Sequence, residues 1–404
     1  MGAITAQLEQ YLGGGSMIRK MFEAGIELKK KYGADNVYDF SLGNPDLPPP
    51  PQVKSALEKI AAKAGEKFSI GYMPNAGYPA LREALGAKLG IEQHTALAGK
   101  DVLLTCGAAG GMNIFLHAVL EKDDEVVVPS PYFVEYGFYV ANHGGKLVPV
   151  PTHDFTFSLD LEALEKVFNE KTRAVIINSP NNPTGCIYSE SELKALARII
   201  AEKEKRYGRT IYLISDEPYK FLNFSGKEIP AVFDIFPHAV IIGSFSKNLS
   251  LAGERIGFVA VDPAIPEADK LMNGLIFCNR TFGFVNAPAI GQQILLEALD
   301  AQVDLDVYRR RRENMAKVLA DAGVKFTLPA GAFYFFAKSP VADEKVFVDA
   351  LLNEHILVVP GSGFGCPGYV RIAFCVEDSV ILGSAAGFRR VMQNFAASEK
   401  SNSN

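Results

Sequence analysis

Short runs rich in Val, Ile and Leu recur at residues 101–105, 125–128, 173–178, 210–215, 240–243 and 257–261, separated by stretches with helical periodicity. A strand with one face in water alternates apolar and polar residues, whereas runs apolar on both faces need cover on both sides. The pattern predicts an α/β fold with a parallel sheet between helices. One such helix should start at Ser189, where Ser189 and Glu192 have capping-box spacing and Leu193, Leu196, Ile199 and Ile200 continue an apolar stripe.

A chain of 404 residues exceeds one small core. The rhythm changes near residue 300, where a charged helix from Asp304 to about Gly323 precedes strand-like runs at 333–336, 356–359 and 370–374. Leu47 and the four prolines Pro48 to Pro51 read as an extended connection. The expected division is therefore 1–46 as an N-terminal arm joined to a smaller unit, 47–300 as a large domain, and 301–404 as the C-terminal small domain.

With 46 acidic against 41 basic residues, the chain lacks the basic field that nucleic-acid backbones attract. Cys106, Cys186, Cys278, Cys366 and Cys375 are odd in number and scattered, the usage of reduced thiols in a cytoplasmic protein. No apolar run reaches the roughly 20 residues of a membrane span, and the first residues lack an export signal. Gly13-Gly14-Gly15 reads as a hinge, and the polar tail 398–404 as a frayed end. The six histidines show no ligand spacing on a helix, so metal catalysis has no support. Gly361-Ser362-Gly363-Phe364-Gly365 leads toward a strand, which is the wrong context for a nucleotide loop.

Chemistry concentrates where the predicted strands end. Ser244-Phe245-Ser246-Lys247 and then Arg255 follow the run at 240–243. A lysine at the carboxyl edge of a parallel sheet loses enough water to attack an aldehyde, and the flanking Ser244 and Arg255 suit a phosphate. Alone, the segment is equally a surface turn. Asp216 and Tyr219 follow the run at 210–215. A buried carboxylate there needs a partner, and a pyridinium nitrogen provides one, while Tyr219 reaches toward a ring hydroxyl. Asn182, in the turn Asn181-Asn182-Pro183-Thr184-Gly185, is a second donor to that hydroxyl. Cys106-Gly107-Ala108-Ala109-Gly110-Gly111 precedes a helix expected to begin near Met112, and such a small-residue loop leaves backbone donors for phosphate. Tyr132, after Pro129-Ser130-Pro131, is placed to stack on an aromatic ring. Taken singly, these are common turns, caps and half-buried aromatics. Together they answer the demands of pyridoxal 5'-phosphate (PLP).

In this order the segments resemble the class I/II aminotransferases of PLP fold type I, from Ser41-Leu42-Gly43-Asn44-Pro45 to Tyr369-Val370-Arg371-Ile372-Ala373-Phe374. The resemblance implies a large domain with a mostly parallel seven-stranded sheet between helices, plus a smaller α+β domain. It implies that Lys247 carries the cofactor as a Schiff base, with Asp216 and Tyr219 beside it in catalysis. Ala108, Ala109, Ser244 and Arg255 would hold phosphate, Asn182 and Tyr219 the ring oxygen, and Tyr132 the ring face. Arg371, with Gly43 and Asn182, would bind the substrate, its guanidinium gripping the α-carboxylate.

Ile70-Gly71-Tyr72 resembles the segment whose tyrosine reaches a neighbouring subunit's phosphate, which implies a homodimer with shared sites. The implied activity is ping-pong transfer of an amino group from an L-amino acid to a 2-oxo acid, with 2-oxoglutarate the family acceptor. A C–S or β-lyase of the same fold and a non-catalytic PLP-binding regulator share these cofactor contacts. Arg280 lies near a segment that in some relatives meets a second substrate carboxylate, and Ala109 stands where some bacterial relatives have a lysine for that task.

Overall fold

The computed structural model of the chain describes residues 3–14 and 17–402. Its strands, in chain order, are β1 (Tyr38–Asp39), β2 (Val102–Thr105), β3 (Glu125–Ser130), β4 (Lys146–Pro151), β5 (Thr172–Asn178), β6 (Tyr212–Asp216), β7 (Ala239–Ser244), β8 (Gly257–Val261), β9 (Lys325–Phe326), β10 (Tyr334–Lys338), β11 (Ile356–Leu357), β12 (Val359–Pro360) and β13 (Tyr369–Ala373). Seven of them form the central sheet, in the order β2-β8-β7-β6-β5-β3-β4. Strand β8 runs antiparallel to β2 and β7, and the remaining pairs are parallel, so the sheet is mostly parallel as expected.

Successive residues of these strands feed two different cores. Val127, Val175, Ile177, Leu213 and Ile241 pack on one face, and Val126, Val128, Ile176, Ile214 and Ile242 on the other. That is the physical meaning of the uninterrupted Val/Ile runs: both faces are covered by helices. Strand β4 is absent from the sequence runs because Pro149 and Pro151 interrupt it. It pairs only with β3, and an edge strand tolerates prolines that cannot donate to a further neighbour.

A four-stranded antiparallel sheet, β12-β13-β10-β9, lies C-terminal, and β1 pairs in parallel with β11. Its core combines Phe40 with residues from Val303 to Val391, and also takes in Tyr219 and Leu222 from the connection after β6.

Local signals match the elements they begin and end. Ser189 Oγ accepts from Glu192 N at 3.3 Å and Glu192 Oε2 accepts from Ser189 N at 2.8 Å, opening the helix Glu190–Tyr207. Asp304 caps the helix Leu305–Ala322, which Gly323 ends with φ 81°. The proline connection is shorter than the sequence suggests, because Pro51 is already the first residue of the helix Pro51–Lys63, where a missing N–H costs nothing.

Gly13 and Gly14 belong to the helix Ala6–Gly14 rather than to a hinge, and the helix Ala385–Asn402 covers much of the polar tail. Gly15, Ser403 and Asn404 lie outside the described residues. Among the described residues no helix is long and apolar enough to cross a membrane, and the five cysteines are free.

Candidate active site

The parallel strands bring three chemical groups to one edge. In the ladder Asn178 of β5 pairs with Asp216 of β6, Asp216 pairs with Ile242 of β7, and Ser244 at the end of β7 pairs with Gly257 of β8. Beyond this edge lies a cavity of about 320 Å³, walled on the other side by Gly43, Tyr334 and Arg371. Ten of the twelve expected site residues line it: Lys247, Asp216, Tyr219, Asn182, Ser244, Arg255, Ala108, Ala109, Gly43 and Arg371.

Asp216 is 7% exposed, and its Oδ2 accepts a short hydrogen bond from Tyr136 Oη, while Oδ1 has no partner among the described residues. Burial pushes its carboxyl up to about 7, against the opposing effect of the Tyr136 bond. Asn178 Nδ2 donates to the Asp216 carbonyl at 2.8 Å, and Asn178 Oδ1 accepts from Asn182 N at 2.6 Å. Asn182 Oδ1 in turn accepts from Arg371 Nη1 at 3.1 Å. The Asn182 oxygen is thereby committed, which leaves its NH2 as the donor.

Arg371 is 2% exposed and lies between the Tyr334 and Phe364 rings, 4.7 and 4.8 Å from their centroids. Its Nη2 donates to Ser41 O at 2.6 Å, and its Nε has no partner among the described residues. The rings and bonds hold the guanidinium plane rigidly, which suits recognition of a planar anion. Lys247 Nζ donates to Gly43 O at 2.6 Å. Desolvation lowers its pKa to about 8, with the positive charges of Arg371 and Arg255 acting in the same direction. Tyr219 Oη and Tyr334 Oη lie 2.9 Å apart, both buried. Gly43 makes this possible, since a Cβ there would stand 2.0 Å from Tyr334 Oη.

The helix Gly107–Val119 begins five residues before the position expected from sequence. Gly107, Ala108 and Ala109 are its first turn rather than a loop before it, so their amides belong to a helix N-terminus that no side chain caps. Small residues are required here by close approach. A Cβ on Gly257 would stand 2.6 Å from Gly107 C and 2.8 Å from Ala108 N, and one on Gly107 2.9 Å from Arg255 Nη2.

Two expected residues stand elsewhere. Tyr132 is turned away from the cavity: its amide donates to Phe364 O at 3.1 Å and its ring packs on Gly365, while the next residue, Phe133, lines the wall. Adjacent side chains in a non-helical segment project oppositely, so a one-residue shift exchanges the wall residue. Tyr72 is 92% exposed and outside the cavity, and Arg280 is exposed with its guanidinium over Phe277 at 5.2 Å. Sequence reasoning passed over Tyr136, Phe133 and Tyr334. The i, i+3 pair Phe133 and Tyr136 directly after β3, at the mouth of the same sheet edge, was the signal available for the first two.

Residues 35–382 match the family model described as aminotransferase class I and II. The probable aspartate/prephenate aminotransferase of Aquifex aeolicus (strain VF5) is 33% identical over 384 residues, covering 90% of this chain and 92% of that protein. The aspartate/prephenate aminotransferase of Thermus thermophilus is 32% identical over 378 residues, with 91% and 93% coverage. Among solved structures, an amino transferase from Eubacterium rectale superposes with a TM-score of 0.93 at 34% identity, over 98% of this chain and 100% of that one.

Proposed function

The chain belongs to the class I and II aminotransferase family and is a PLP-dependent transaminase, and from that premise we propose how its residues divide the work. The residues present fit the cofactor. Asp216 Oδ1 is a buried acceptor without a partner, which a protonated ring nitrogen would complete. The free amides of Ala108 and Ala109, with Ser244 and Arg255, would hold the phosphate, and Asn182 Nδ2 and Tyr219 Oη the ring oxygen. Phe133, which lines the cavity where Tyr132 does not, would cover the ring face. When bound, PLP supplies an aldehyde for the amino group and an electron-withdrawing ring that stabilises charge at the substrate α-carbon.

Arg371 binds the α-carboxylate through its fork and fixes the substrate against Gly43 and Asn182. Lys247 Nζ, its pKa lowered by desolvation, would take the proton from the α-carbon and deliver it to the carbon of the cofactor's former aldehyde, and in the second half-reaction would move a proton the opposite way. Asp216 would stay ionised with the ring nitrogen on its Oδ1, while Tyr136 holds Oδ2. Phe133 and Tyr334 exclude water from this exchange. The amino group passes from an L-amino acid to a 2-oxo acid in two half-reactions, and we assign 2-oxoglutarate as the acceptor to test first, beside pyruvate. The carrying observation is that the lysine with a lowered pKa, the carboxylate with an unpartnered oxygen and the buried arginine all line one cavity. Replacing Lys247 by Ala should leave a folded chain that binds PLP without covalent attachment and gives no turnover. Transamination near the wild-type rate would overturn the assignment.

Exposed Phe68, Ile70 and Tyr72, at 89%, 51% and 92%, support a homodimer in which Tyr72 reaches the second copy's site. Light scattering on the eluted protein at micromolar concentration would give twice the chain mass, and the mass of one chain would exclude it. The free thiols support a cytoplasmic setting.

A further inference from the structure

Away from the active cavity, His117, His143, Asn113 and Phe282 form a cluster joined by side-chain hydrogen bonds and ring contacts. Asn113 Nδ2 donates to Ala109 O at 2.9 Å, which sets the carboxamide so that its Oδ1 faces His143 Nε2 at 3.1 Å. An acceptor in that place puts the ring proton on Nε2 and leaves a lone pair on His143 Nδ1. This lone pair faces His117 Nδ1, 3.3 Å away. Phe282 stacks on His143 with an interplanar angle of 6° and meets His117 edge-on at 4.7 Å, so both rings are held in orientation.

We propose that His117 Nδ1 and His143 Nδ1 together bind one borderline divalent transition-metal ion, zinc being the best fit, with water completing the shell. The separations match two ligands on one ion. A tetrahedral zinc with Zn–N bonds of about 2.05 Å holds two nitrogens about 3.3 Å apart and the centroids of two rings aimed at it about 5.2 Å apart. A linear N–H···N bond of the same length would put the centroids about 5.6 Å apart. The observed nitrogen separation is 3.3 Å and the centroid separation 5.1 Å. The two ring axes are therefore not collinear, and both separations are those of two imidazoles sharing one ion.

His143 already has the arrangement of a metal ligand, its other ring nitrogen donating to an oxygen that is itself held. His117 is exposed, so its proton moves from Nδ1 to Nε2 through solvent when the ion enters, with no net proton released. Among the described residues no group of three or more His, Cys, Asp or Glu side chains gathers around an ion. Two protein ligands make the site exchangeable, unlike a closed four-ligand structural centre. It does not touch the cavity, but Asn113 links it to the carbonyl of Ala109 on the cavity wall.

Calorimetric titration of the PLP-loaded enzyme with zinc chloride tests the proposal, using His117→Gln, His143→Gln and Asn113→Ala beside the wild type. The expected result is one zinc per chain for the wild type, with affinity lowered at least tenfold by either histidine replacement and about tenfold by Asn113→Ala. Cobalt in place of zinc should give the visible bands of a tetrahedral centre, lost in both histidine variants. Cofactor absorbance and melting temperature verify that each variant is folded. No saturable uptake by the wild type, or uptake unchanged in both histidine variants, would overturn the proposal.

Discussion

Tyr136 Oη donates to Oδ2 of Asp216, while Oδ1 of the same buried carboxylate is left without a partner among the described residues. An aspartate in this state is poised for one more donor, and until that donor arrives its charge is costly.

The cost has a pH signature. In the cofactor-free protein burial holds the Asp216 carboxyl at about 7, above the ordinary aspartate value of 3.8. A carboxyl raised on folding lowers stability as it ionises, so the loss begins above pH about 4 and is complete above about 7, amounting to at most about 4 kcal/mol. Chemical denaturation of cofactor-free wild type and Asp216→Asn at pH 5 and 7.5 checks this. The wild type should lose stability relative to the variant between the two, and PLP should abolish the difference. Parallel behaviour of the two proteins would contradict it.

Lys247 makes a kinetic prediction. Its amine, lowered to about 8 by desolvation, reacts with an aldehyde only when neutral. Stopped-flow capture of PLP by the cofactor-free enzyme should accelerate from pH 7 and level off above about 8. A rate still climbing through pH 10 would mean an amine with its ordinary pKa.

Arg371→Lys keeps the charge but loses the fork that contacts Asn182 and Ser41 and sits between two rings. Its kcat/KM for amino donors should fall on the order of a hundredfold, with PLP affinity nearly unchanged. Steady-state kinetics with a cofactor titration separates the two effects.

Gly43→Ala places a methyl 2.0 Å from Tyr334 Oη, so Tyr334 or the backbone has to move. Overpacking of this kind costs about 1–3 kcal/mol. Denaturant melts should register the loss, and activity should fall further because Gly43 O also accepts from Lys247.

The cationic side chains lining the cavity are Lys247, Arg255 and Arg371, each with a proposed task, and Ala109 brings no charge. Ala109→Lys should therefore raise the kcat/KM for aspartate relative to phenylalanine by about tenfold, equivalent to about 1.4 kcal/mol. An unchanged ratio would show that a second carboxylate is handled elsewhere.

How far these features can be read from sequence follows from their physics. The Val/Ile runs disclose a doubly covered sheet because burial on both faces leaves a composition signal, and Asp216 stands out as a charge at the end of such a run. Strand β4 escapes because Pro149 and Pro151 imitate a loop, and the antiparallel course of β8 escapes because direction is set by distant pairing. Small residues led the helix at Gly107 to be placed late, since tight packing against Gly257 asks for the same residues as a loop. Phe133 and Tyr132 differ only in which way an extended chain turns, and Tyr334 is brought to Tyr219 by a separate sheet. Neither relation is local enough to leave a motif.

The most direct test of the account is to treat the PLP-loaded enzyme with borohydride, digest it and locate the cofactor by mass spectrometry. The account predicts reduced PLP fixed to the peptide bearing Lys247, and no fixed cofactor in Lys247→Ala. Attachment to a different lysine, or covalent retention in Lys247→Ala, would contradict it.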